Sequence, residues 1–137
     1  MPITKEFTVN MEDRPGTLGK FSRVLADRGV NILAFETTSA GGSSEVRFVA
    51  DDPGAAKTAM DNQSLAYTEK KVAYITLPNR PGELARAASV LGEADVNINH
   101  AYFGVDPSTS TPVLFIGVED ADRAAKVLEK GITKAAA

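Results

Sequence analysis

The sequence predicts an α+β fold built from two tandem β-α-β-β-α-β units, on three observations. A chain of 137 residues, 43% hydrophobic and 24% charged, has globular composition and room for one domain or two very small ones. Arg14-Pro15-Gly16-Thr17-Leu18 recurs as Arg80-Pro81-Gly82-Glu83-Leu84, and the offset of 66 residues (14 to 80) carries forward without a gap to pair Val30-Asn31-Ile32 with Val96-Asn97-Ile98. Nine identities fall between Arg14 and Ile32, where composition alone would give about one or two. Within each copy, period-2 and period-3.6 apolar patterns alternate in the same order.

The first copy opens with Phe7, Val9 and Met11 alternating with Thr8 and Asn10, the pattern of a half-buried strand. Leu18, Phe21, Val24 and Leu25 follow at spacings of three and four, so one helix face is apolar, and Gly29 ends that helix. Val30 to Thr37 is rich in β-formers and predicts a second strand. Ser39 to Ser44 predicts a flexible hairpin loop, after which Val46, Phe48 and Ala50 alternate along the returning strand. Asp52 suits an N-cap with Pro53 in the first turn, and the helix runs to about Met60. Leu65 to Thr68 could supply a fourth strand, giving units of residues 1–69 and 70–137 joined near Glu69-Lys70-Lys71.

The second copy repeats the order. Ala73, Ile75 and Leu77 mark its first strand, and Leu84, Ala87, Ala88 and Leu91 its first helix. Asp120 caps a final helix bearing Ala124, Val127 and Leu128. After Gly131 the sequence predicts a last strand that is short or absent. Antiparallel strands with both helices on one face are the natural packing of this order, the ferredoxin-like arrangement.

Composition narrows the chemistry. Cysteine is absent and His100 is the sole histidine, so thiolate nucleophiles, disulfides and cysteine or multi-histidine metal sites are excluded within one chain. A net charge of −3 is the wrong sign for nucleic-acid phosphates. No run of 18 apolar residues exists to span a bilayer as a helix, and no signal-peptide stretch opens the chain, so the expected location is cytoplasmic. No nucleophile–base pair is recognisable, so no enzyme activity, cofactor or metal is expected.

Asp13-Arg14-Pro15-Gly16-Thr17-Leu18 and Asn79-Arg80-Pro81-Gly82-Glu83-Leu84, each followed by a helix and by Val-Asn-Ile, resemble the ACT domain. The whole chain looks like the stand-alone proteins made of two such domains. The resemblance implies a regulatory protein that binds a small molecule, most often an amino acid, at an interface between ACT units, and it implies a homodimer. In the ACT domain of bacterial phosphoglycerate dehydrogenase the asparagine before Pro-Gly and that of the Val-Asn-Ile segment hold serine. The matching positions are Asn79 and Asn97, with Asp13 and Asn31 in the first copy. Met11 and Leu77 stand where that relative carries a further ligand-binding histidine, which argues against serine.

The residue types suit the task by themselves. Asparagine offers donor and acceptor together, and Asp13 offers a charged acceptor. Gly16 and Gly82 let a ligand approach the backbone, and Arg14 and Arg80 could present a cationic fork. The competing reading makes Asp13 and Asn79 turn caps, and Asn31 and Asn97 turn residues at a strand entrance. Asn99 and His100 have no counterpart in the first copy, where Leu33 and Ala34 stand, so the two potential sites are unequal and the expected one involves the second unit. Two alternatives complete the reading. One is a regulatory subunit docking on an amino-acid biosynthetic enzyme, as the small subunits of acetolactate synthase do. The other is an acylphosphatase-like enzyme, whose glycine-rich loop ending in an aromatic and an arginine is missing here.

Overall fold

A computed structural model describes residues 2–136. It contains β1 (Ile3–Glu12), α1 (Thr17–Ala26), β2 (Ile32–Ala40), β3 (Ser43–Ala50), α2 (Pro53–Asn62), β4 (Thr68–Thr76), α3 (Glu83–Glu93), β5 (His100–Val105), β6 (Pro112–Gly117) and α4 (Ala121–Ala136). The chain forms two compact units: Lys5–Lys70, called N-terminal here, and residues 2–4 with 71–136, called C-terminal. The chain passes from one unit to the other within β1 and again within β4.

In the N-terminal unit β3 lies between β1 and β2, antiparallel to both, with Phe7 opposite Phe48 and Phe35 opposite Phe48 on its other side. Gly41 and Gly42, both at positive φ, make the hairpin a two-residue turn, so β2 and β3 run further than the expected loop Ser39–Ser44 allowed. Paired glycines adopt this turn without a Cβ penalty, and its twist matches the strands. Phe7, Val9, Val46 and Phe48 face α1 and α2, where Phe21, Leu25, Ala56 and Met60 close the core. Phe48 sits with ring centroids 5.4 Å from Phe7 and 5.5 Å from Phe21. Leu65 and Tyr67 pack on this core too. They form no strand of their own.

The expected fourth strand and the first strand of the second copy are therefore one element, β4. No glycine, proline or other turn former interrupts Thr68 to Thr76, so nothing breaks the extended chain there. Among the described residues six strands result, where two full β-α-β-β-α-β copies would have eight.

In the C-terminal unit β6 lies between β4 and β5, antiparallel to both, with Ala73 opposite Ile116 and His100 opposite Gly117. The Tyr74 amide donates to the carbonyl of Pro2 at 3.0 Å. Here the core is aliphatic: Leu77, Leu91, Leu114, Ile116 and Leu128, with alanines on both helices. Small residues bring α3 and α4 close, and a Cβ added at Gly131 would lie 2.3 Å from a methyl of Val90. The helix continues through Gly131 to Ala136, so no last strand forms among the described residues. No helix of the described residues is long and apolar enough to cross a membrane.

The caps follow the sequence. Asp52 accepts from the Ala55 amide at 3.1 Å and Asp120 from the Arg123 amide at 3.1 Å. Gly29 ends α1 at φ 71°, and Asp95 takes the same place after α3 at φ 58°. In both, the next amide returns to the carbonyl of the helix (Val30 to Leu25, Val96 to Leu91).

Candidate functional site

The two β–α loops have nearly the same backbone. Gly16 (φ 90°, ψ −14°) and Gly82 (φ 89°, ψ −10°) both take the left-handed conformation that favours glycine, as the residue before the helix. Thr17 donates to Arg14 O and Glu83 to Arg80 O; Lys20 donates to Gly16 O and Arg86 to Gly82 O. The loops differ in side chains.

In the N-terminal unit the loop borders a cleft of about 540 Å³. Arg14, Pro15, Gly16 and Thr17 line it, together with Lys20 and with Asn10, Met11, Glu12 and Gln63. The Nε of Arg14 meets Glu12 Oε2 at 3.1 Å, on an exposed surface. Lys20 makes no ion pair among the described residues. Asp13 lies outside the cleft lining: its amide donates to Gly42 O at 3.0 Å and its carboxylate accepts from Ser44 Oγ at 3.2 Å. It ties the loop to the β2–β3 hairpin, and no side chain caps α1. Leu18 turns to a smaller groove of about 130 Å³ shared with Ile32, Phe35 and Phe48.

In the C-terminal unit the loop is closed by its own carboxylate. Glu83, only 8% exposed, accepts from Arg80 Nε at 2.8 Å through one oxygen and from Arg86 through the other. The hydrogen bond from Arg80, then that from Arg86, holds the Glu83 carboxyl below its ordinary range, because both favour the charged form. Arg80 is thus engaged inside the loop. Asn79 is exposed and its side chain makes no hydrogen bond among the described residues. Pro81 and Gly82 shape the turn, and Leu84 is half exposed.

The asparagines of the Val-Asn-Ile segments lie outside the strands. Asn31 precedes β2, its amide donating to Asp51 Oδ1 at 2.9 Å while its carbonyl accepts from the Asp51 amide at 2.9 Å. Asn97 precedes β5, and its Nδ2 donates to Asn99 Oδ1 at 3.2 Å. Asn97 and Asn99 line a separate polar cleft of about 440 Å³ with Glu119, Asp120 and Arg123. The strand expected from Val30 is thereby corrected: β2 begins at Ile32 and β5 at His100, so both asparagines lie in irregular backbone ahead of the strands. Within a unit, α1 or α3 separates each asparagine from the β–α loop. At 1.5 Å per residue the 11 residues of α3 span about 16 Å, longer than an amino acid. One small ligand cannot touch both ends of the same helix.

His100 lies over Gly117, where any Cβ would collide with the imidazole, and stacks on Tyr102 with centroids 6.3 Å apart. It belongs to the sheet and borders neither loop. Sequence reasoning missed Lys20, Asn10 and Gln63. The signal for Lys20 was present, since a residue four beyond Gly16 faces the loop on the first helical turn.

The family model described as "ACT domain" matches residues 6–61 and again 71–130. No curated protein matches the sequence. Among solved structures, a protein of Bacteroides thetaiotaomicron superposes with a TM-score of 0.82 at 24% identity, covering 94% of this chain and 88% of that one. The ligand-free regulatory subunit of aspartate kinase from Thermus thermophilus superposes at 0.64 with 13% identity, covering 96% and 97%. The corresponding subunit from Thermus flavus gives 0.59 at 15%, with coverage of 96% and 97%. At these identities the likeness is one of fold.

Proposed function

This chain belongs to the ACT domain family, and from that premise we propose that it is a non-catalytic regulatory protein that senses an amino acid. The ligand sits at a β–α loop, Asp13–Leu18 or Asn79–Leu84, against Asn31 or Asn97 and Asn99 of an ACT unit in a second copy of the chain. The observation that supports this most is the cleft of about 540 Å³ beside Arg14–Thr17, a volume within the range of small-molecule sites. The length of α1 and α3 is a second support, because loop and asparagine can meet at one ligand only across two units.

The homodimer draws support from an apolar strip that recurs in both units. Leu18 of α1 and Phe35 of β2 are exposed in the N-terminal unit, and Leu84 of α3 with Phe103 and Val105 of β5 in the C-terminal unit. Both β2 and β5 are edge strands with one neighbour each. Exposed edges beside apolar side chains are the surfaces a second copy would cover.

Calorimetric titration with each standard amino acid should give saturable binding for at least one, and light scattering should give twice the chain mass. Absence of heat for every amino acid would contradict the sensor reading. A monomeric mass with and without amino acids would contradict the dimer. A mass that doubles only with a separate enzyme present would favour the docking subunit instead.

A further inference from the structure

The geometry points to the N-terminal loop as the one that takes a ligand carboxylate, the C-terminal loop being occupied by its own. This rests on the sensor reading above and names which loop, and which end of the ligand, it uses. Three observations carry it. The two loops share the torsion angles of Gly16 and Gly82 and the same backbone hydrogen bonds from Arg14 to Lys20 and from Arg80 to Arg86. Arg80 and Arg86 clasp one carboxylate between them, that of Glu83. The equivalent cations, Arg14 and Lys20, both line the cleft, but the residue between them is Thr17, which brings no charge.

The C-terminal loop thus shows what this backbone does with two cations at these positions: it places them around a carboxylate. In the N-terminal loop Thr17 supplies no anion from the helix, Arg14 pairs instead with Glu12 at the end of β1, Lys20 stays without an ion pair among the described residues, and the space is open as a cleft. Glu12 meets Arg14 through Nε, leaving the Nη edge of the guanidinium toward other partners. A carboxylate from solution would take the position that the Glu83 carboxylate holds in the other unit. Thr17, with its hydroxyl, could donate to the same oxygen. The other polar residues of the lining, Asn10, Glu12 and Gln63, carry acceptors and donors for an ammonium or a side chain, Glu12 the charged one among them. The two units divide the work: one loop binds, and its twin is locked by an internal mimic of the ligand.

Grafting tests this directly. Backbone amide spectra of the labelled protein are recorded while each standard amino acid is added, and for every binder the amine lacking its carboxylate is added as well. The amides of Gly16, Thr17 and Lys20 should shift, those of Gly82, Glu83 and Arg86 should not, and the decarboxylated amines should leave all six in place. Thr17→Glu should supply the missing anion and abolish the response. Lys20→Met should weaken it roughly ten- to hundred-fold, as loss of a charge-assisted contact does. Glu83→Thr should add a second set of shifts at Gly82 and Arg86. An amino acid that shifts the C-terminal loop of the wild type, or one that binds Thr17→Glu as well as wild type, overturns this assignment and leaves the sensor reading standing. An amine that binds as well as its amino acid overturns the assignment too. If no amino acid shifts any amide, both fall together.

Discussion

Substituting Gly131 by alanine should destabilise the C-terminal unit although alanine is the better helix former. The added Cβ would lie 2.3 Å from Val90 Cγ1, 3.1 Å from Cγ2 and 3.3 Å from Cβ, against the roughly 3.5–4.0 Å of ordinary carbon contacts. Rotation of Val90 offers no escape, because both methyls face the glycine and valine in a helix keeps one strongly preferred χ1. Helix α4 must therefore shift from α3, an overpacking worth about 1–3 kcal/mol. Alanine returns about 1 kcal/mol through helix propensity. The net loss is about 1 kcal/mol. Val90→Ala alone should also cost about 1 kcal/mol for its half-buried methyls. The double variant loses the clash and keeps the propensity gain, so it should lie near wild type. The cycle then gives a coupling of about 2 kcal/mol. Urea unfolding followed by circular dichroism measures each corner. A Gly131→Ala variant at least as stable as wild type, or a cycle that adds without coupling, would refute the packing of α3 on α4.

Two further outcomes follow from the loops. Glu83 carries a folded pKa below its ordinary value of 4.5, so its contribution is complete above 4.5 and fades as pH falls toward the folded value. The stability difference between wild type and Glu83→Gln should therefore be constant near neutrality and shrink below about pH 4.5; a difference that grows on acidification would contradict the Arg80–Glu83–Arg86 clasp. Asn97→Ala should change unfolding by less than about 0.5 kcal/mol, since it removes an exposed side-chain contact with Asn99, yet weaken amino-acid binding roughly ten- to hundred-fold by calorimetry. A variant that binds normally but melts many degrees lower would make Asn97 structural.

Much of the fold is legible in the sequence because the repeat fixes it twice. Asp52 with Pro53, and Asp120, announce helix starts by a local rule, and the structure forms both caps. Paired glycines at 41 and 42 announce the hairpin. What escapes is set by partners distant in sequence. Gly131 has the look of a helix end until Val90 of another helix is seen to fill the space beside it. Thr68 to Thr76 divides between two copies only if the repeat is taken as a pair of closed units, whereas the chain simply stays extended.

At the candidate site, the glycines and the loops were legible and their inequality was visible. The basis of that inequality was not. Asn99 and His100 drew attention to the C-terminal unit, while the decisive difference is Thr17 against Glu83, whose meaning depends on Arg86 and Lys20 standing one turn further along. Asn31 and Asn97 looked unusual only on the premise that they lie in strands. They precede the strands, Asn31 held through its backbone by Asp51 and Asn97 through its side chain by Asn99.

The central claim is that an amino acid binds the folded chain. Thermal unfolding in the presence of each standard amino acid tests it most directly, because a ligand that binds only the native state at 100 times its dissociation constant adds about 2.7 kcal/mol. The account predicts that at least one amino acid raises the melting temperature by several degrees, in proportion to the logarithm of its concentration, and that Thr17→Glu is insensitive to it. Melting curves unmoved by every amino acid would contradict the claim.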